Sequence, residues 1–98
     1  MIVVRDIFRL KFGKAKEAKA LLKEGITLIE SSGFKVDRIL TDLTGEYYTL
    51  VLESVHKSLS DYERIGNGHS ADGHWKIWYE KFVPLVESGR REIFRVVD

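Results

Sequence analysis

Over residues 2–12 the chain alternates, with Ile2, Val4, Phe8, Leu10 and Phe12 on one side and Val3, Arg5, Ile7, Arg9 and Lys11 on the other. A period of two predicts a strand. From Lys14 to Ser32 the period lengthens. Ala18, Leu21, Leu22, Gly25, Ile26 and Ile29 recur at three- and four-residue intervals, while Lys16, Lys19, Lys23 and Thr27 fall opposite them. That pattern predicts an amphipathic helix, ended near Ser31, Ser32 and Gly33. "FKVDRILTDL" and "EYYTLVLES" are rich in β-branched and aromatic residues and meet at Thr44-Gly45, which predicts an antiparallel hairpin with a tight turn. Ser58 and Ser60 stand three residues before Asp61 and Glu63, the spacing of a helix N-cap, and the short helix they open is expected to run to about Ile65. After the glycine-rich break a second helical stretch begins near Asp72 or His74, and Pro84 ends or bends it. "RREIFRVVD" alternates again and reads as a closing strand.

The order strand, helix, strand, strand, helix, strand predicts an α+β, ferredoxin-like fold: a four-stranded antiparallel sheet with the helices on one face. Both sides of each strand carry apolar residues, Val4, Phe8 and Leu10 against Val3 and Ile7 in the first and Phe94 and Val96 against Ile93 and Val97 in the last. Helices cover one face only. The other would then expose more apolar surface than monomers usually do, and a second copy packed sheet to sheet is the simplest cover. The alternative is a monomer with a mixed open face, to which Arg5, Arg9, Arg38 and Arg95 contribute.

Composition narrows the function classes. At 98 residues the chain makes one domain with one core. The absence of cysteine excludes thiolate chemistry and thiolate-bound metal. No apolar run reaches the length of a membrane span, and the charges at Arg5, Asp6 and Arg9 break any signal-peptide core, so the expected location is cytoplasmic and away from membranes. Lys11, Lys14, Lys16, Lys19 and Lys23 cluster, but the net charge is only +1 and no aromatics or glycines interleave with them. They read as a solvated helix face rather than a nucleic-acid surface.

The densest candidate chemistry lies in "RIGNGHSADGHWKIWYEKFVPLV". Trp75, Trp78, Tyr79, Phe82 and Val86 form one stripe at helical spacing, a pattern that more often serves the core than a ligand. His74 stands at the edge of that stripe. His69 and His74, five residues apart, share no helix face, so no metal site is expected. His56 reads as a surface residue at the end of the third strand. Asp6 and Glu53 read as ion-pair partners of an arginine such as Arg5, Arg38 or Arg95, and Tyr47 and Tyr48 as facing opposite sides of a strand. The candidate proton-moving groups are therefore His74 and His69, and the candidate ligand-binding groups are Trp75, Trp78, Tyr48 and Asn67.

"VVRDIFRLKFGKAKEAKALL", "RILTDLTGEYYTLVLES", "SLSDYE" and "WYEKFVPLVESGRREIFRVV", in this order, resemble the dimeric α+β barrel superfamily and are most similar to its NIPSNAP-like branch. The resemblance covers nearly the whole chain and implies a homodimer. It also reaches relatives that are cofactor-independent antibiotic-biosynthesis monooxygenases, isomerases or haem-degrading enzymes. The asparagine that haem-degrading members carry on the first strand is missing here. The expected function is a homodimer holding a small apolar or aromatic molecule between sheet and helices, with no cofactor. The alternatives are a cofactor-independent monooxygenase or isomerase acting on an aromatic substrate, and a dimer module without a ligand.

Overall fold

The computed structural model describes residues 1–31, 33–70 and 73–98, and for 67–70 the backbone alone. Its elements follow in the order β1 (Ile2–Leu10), α1 (Ala15–Ser31), β2 (Arg38–Thr41), β3 (Thr49–His56), α2 (Leu59–Ser70), α3 (Gly73–Phe82), a 3₁₀ turn at Val83–Leu85, and β4 (Val86–Arg95). The strands form one antiparallel sheet ordered β2-β3-β1-β4, the ferredoxin-like α+β arrangement that the sequence predicts.

The core lies between sheet and helices. Leu10 and Leu50 from the sheet meet Ala18 and Leu22 of α1, Trp78 and Phe82 of α3, and Leu85. Trp78 is the keystone, 5% exposed, with its ring stacked on Phe82 at 4.9 Å between centroids. Its indole N–H donates to the Leu21 carbonyl at 2.7 Å, which satisfies a polar atom that would otherwise be buried without a partner. The ring lies so close to Gly25 that any side chain at that position would run into it. Phe82 meets Phe8 of β1 edge to face at 5.3 Å, linking the aromatic stack to the sheet.

Several element boundaries differ from those read in the sequence, for local reasons. The β2–β3 connection is not a tight turn. β2 keeps only Arg38–Thr41, and residues 42–48 form a loop in which Gly45 (φ 106°) and Tyr48 (φ 61°) both take left-handed backbone. Tyr47 and Tyr48 thus leave the strand alternation, and both rings come within 6.4 Å of Phe12 instead of facing opposite sides. α2 does not stop at Ile65 but continues helically through its glycines to Ser70, because an interior glycine weakens a helix by about 1 kcal/mol without ending it. Its start is capped as expected, the Ser58 hydroxyl accepting from the Asp61 amide at 3.2 Å. β4 begins at Val86, directly after the proline-containing turn, and β1 ends at Leu10, leaving Phe12 exposed.

Candidate functional site on the open sheet face

Cross-strand register determines what the uncovered face presents. Arg5 lies opposite Glu53 on β3 and Glu92 on β4, and Glu53 lies opposite Arg38 on β2. Residues directly opposite in a sheet share a face. One row of alternating charge, Arg38, Glu53, Arg5, Glu92, therefore crosses all four strands. Glu53 is its centre, only 5% exposed. Arg5 Nε donates to Glu53 Oε2 at 2.9 Å and Arg38 Nε donates to Glu53 Oε1 at 2.9 Å. These two charged hydrogen bonds outweigh desolvation and hold the Glu53 carboxyl below the usual carboxylate range. At the row's end Arg90 Nε lies 3.3 Å from Glu92 Oε2.

Apolar levels flank this ionic row. On one side Val3 pairs with Val55 and Phe94, and the Arg5 guanidinium sits 5.3 Å above the Phe94 ring. On the other side Ile7 pairs with Val51 and with Arg90, and Leu40 extends the level onto β2. Over Ile7 the face is concave. Two hollows of ≈ 140 and ≈ 300 Å³ share Ile7, Glu46, Thr49 and Arg90, and so adjoin as one trough. Ile7, Leu40 and Val51 supply its apolar floor, and Thr49, Asp42 and Arg90 its polar rim. Arg9 Nη1 bridges to Glu46 at 2.6 Å at one end. That pair is half-exposed and contributes little to stability, so opening it for a ligand costs about 1 kcal/mol or less.

A pocket between sheet and helices is not what the hollows show. Trp78, Phe82, Leu50 and their neighbours fill that layer. Of the candidate residues, Trp78 is buried in the core, and Trp75 stacks on it at 4.8 Å, half-buried. Tyr48 packs edge to face on Phe12 at 4.9 Å, and His74 lies exposed in the first turn of α3. The structure does not bring Tyr48, Trp75, Trp78 and His74 around one hollow that it describes. The side chains of Asn67 and His69 lie outside the described residues.

The remaining histidine is a correction. His56 is 8% exposed, not on the surface, because β3 parity turns it toward the helices. Its ring packs against Phe34 at 5.0 Å and Tyr62 at 5.1 Å, and Nε2 lies 2.9 Å from the Ser54 hydroxyl. Burial pushes its pKa below the ordinary value against the opposing pull of Asp37 and Asp61. A serine bonded to a histidine is the beginning of a nucleophile–base pair. Here both members are buried, His56 packed against the Phe34 and Tyr62 rings, so the pair serves packing. Asp6, also turned to the helix side, bonds Arg91 Nε at 2.6 Å rather than any of the three arginines expected for it. Arg95, opposite Ile2, shares that side and contributes nothing to the open face.

Arg90, Glu92, Thr49 and Leu40 were not singled out in the sequence. Their parity within each strand is readable, but the level at which strands align depends on the length of the 42–48 loop and on β4 starting at Val86. A count of opposite charges at matching parity was the available signal.

Comparison with known proteins bears on the fold. No family model matches the sequence, and no curated protein matches it. Among solved structures, an uncharacterised NIPSNAP domain protein from Burkholderia xenovorans superposes with a TM-score of 0.93 at 18% identity, covering 99% of this chain and 95% of that one. A NIPSNAP family protein from Agrobacterium tumefaciens gives 0.93 at 22% identity, covering 99% and 93%. SnoaB, a cofactor-independent oxygenase from Streptomyces nogalater, gives 0.72 at 12% identity, covering 99% and 93%. The chain therefore has the ferredoxin-like α+β fold seen in NIPSNAP proteins.

Proposed function

We propose that this chain is a homodimeric binding protein that holds a small apolar or aromatic molecule in the trough over Ile7, with a second copy as its roof. The observation that carries the reading is the trough itself: an apolar floor of Ile7, Leu40 and Val51 within a polar rim, on a face no helix covers. Small-molecule sites combine such a floor with a few directing polar groups. Alone the trough is shallow and open. Packing a second sheet about 10 Å above it would enclose the volume and exclude water.

The test is to purify the protein under native conditions and identify retained small molecules by mass spectrometry, alongside sedimentation to weigh the particle. Val51→Phe should fill the trough and abolish retention with the fold intact. Retention unchanged in that variant would remove the site. His74→Ala, on the helix side, should leave retention unchanged; a loss of retention there would move the ligand to the helix layer.

A further inference from the structure

We infer that the molecule held in the trough is an amphipathic carboxylate, with its apolar body over Ile7, Leu40 and Val51 and its carboxylate between Arg9 and Arg90, where it takes over the contact that Glu46 makes with Arg9. This rests on the trough reading above and adds the ligand's charge and orientation to it. The two hollows differ in chemistry. The larger has the apolar floor of Ile7, Leu40 and Val51, whereas the smaller gathers Arg9, Arg90, Thr49 and Ser88 at one end. A ligand that fits both is apolar along its length and carries its polar group at one end.

Cross-strand register converges the donors. Thr49 and Ser88 lie opposite Arg9 on β3 and β4, and Arg90 lies opposite Ile7, two residues along β1. Arg9 and Arg90 are therefore diagonal neighbours on one face, about 7–8 Å apart and within reach of one another's long side chains. Two guanidiniums so placed can close on one carboxylate, each offering N–H groups in a planar fork. Arg90 donates from Nε to Glu92 at 3.3 Å, and among the described residues its guanidinium makes no other hydrogen bond. The Ser88 hydroxyl is bonded to no described residue.

The acids of the trough decide the sign of the ligand. Asp42 Oδ1 accepts from the Thr49 amide at 2.9 Å, so that carboxylate is committed to the base of the 42–48 loop. Glu46 is committed only to a half-exposed pair with Arg9 Nη1 at 2.6 Å. Glu87 stands farther off, 3.7 Å from Arg9 Nε, and leaves the terminal nitrogens to the ligand. An incoming carboxylate reproduces the pair that Glu46 gives up and gains Arg90 and Ser88 as further donors, while Glu46 turns into water. The charge beside Arg9 stays balanced throughout the exchange. An ammonium has no such route, because it must take an acid from Arg9 or from the Thr49 amide and then face two guanidiniums.

The test compares three probes of one shape, cinnamate, cinnamamide and cinnamylammonium, titrated into the protein at neutral pH and followed by backbone amide chemical shifts. Cinnamate should bind about tenfold more tightly than either of the others. Arg90→Gln should bring cinnamate to within about twofold of cinnamamide. Arg95→Gln removes the same charge on the helix side and should keep the preference; its loss there as well would mean that net charge alone selects the anion, and would overturn the site. Glu46→Gln should tighten cinnamate about two- to fivefold and leave cinnamamide unchanged, since it removes the competitor for Arg9. An unchanged or weaker cinnamate affinity in that variant would overturn the exchange. Equal binding of all three probes to the wild type, abolished by Val51→Phe, would keep the trough and remove the carboxylate. No binding of cinnamate at millimolar concentration would also remove it, and the retention experiment above would still decide the trough.

Discussion

The two faces of this sheet come from the same strands and behave as different materials. The helix side is dry and interlocked: Trp78 lies between Gly25 and Phe82, and its one polar atom is bonded to Leu21. The open side holds an organised ionic row between two apolar levels, with a trough beside it. Alternation within a strand separates them, since adjacent residues face opposite ways. The difference teaches that a strand apolar on both sides need not be apolar all along both sides. On the open face, charges of alternating sign share one level across all four strands, where they neutralise one another, and the levels on either side of it are mainly apolar.

The contrast can be broken most sharply on the helix side. Trp78→Ala should cost about 3–5 kcal/mol, read as a lower denaturant midpoint at unchanged slope. A loss below about 1 kcal/mol would mean that the aromatic stack does not hold this layer.

On the open side Glu53→Gln should cost less, about 1–3 kcal/mol, because Arg5 and Arg38 are half-exposed and water can take over part of their solvation. Equal losses for the two variants would erase the distinction between faces.

Acid should weaken the two sides in sequence. His56 has a depressed pKa, so the unfolded chain binds its proton first and stability declines as pH falls below the ordinary value of 6.5. Glu53, also depressed, contributes stability above its ordinary value of 4.5, and this is lost as pH falls through the lower, folded value. A melting-temperature profile should show both steps. His56→Phe should remove the upper step and leave the lower one; a profile flat from pH 7 to 5 would contradict the His56 assignment, and one with no loss attributable to Glu53 as the pH falls below 4.5 would contradict the other. The smallest effect is expected from Phe94→Ser, within about 1 kcal/mol in dilute protein, since Phe94 is 47% exposed and its main partner is the Arg5 guanidinium.

The sequence was most informative where a period ran long. The alternation of β1 and the helical spacing of Ala18, Leu22, Gly25 and Ile29 predict elements that the structure contains, and the burial of Trp78 follows from its stripe. Residues 42–48 were less legible, because Tyr48 takes a left-handed φ that non-glycine residues seldom adopt and no local signal announces it. His56 was misplaced because a strand's last residue was read as solvent-facing, although it shares the parity of the buried Leu50 and so faces the helices. The pairing of Glu53 with Arg5 and Arg38 was anticipated. The whole row was not, because it spans three strand pairings whose registers are tertiary properties.

Trp75 and Trp78 stack with their planes 26° apart and both belong to the helix layer. They are the only indoles in the chain. Their emission and near-ultraviolet dichroism will therefore report whether α3 remains seated on α1, and will be largely blind to events on the other side of the sheet. A compound that binds over Ile7 should leave this optical signature almost untouched, whereas one that alters it must have reached the helices.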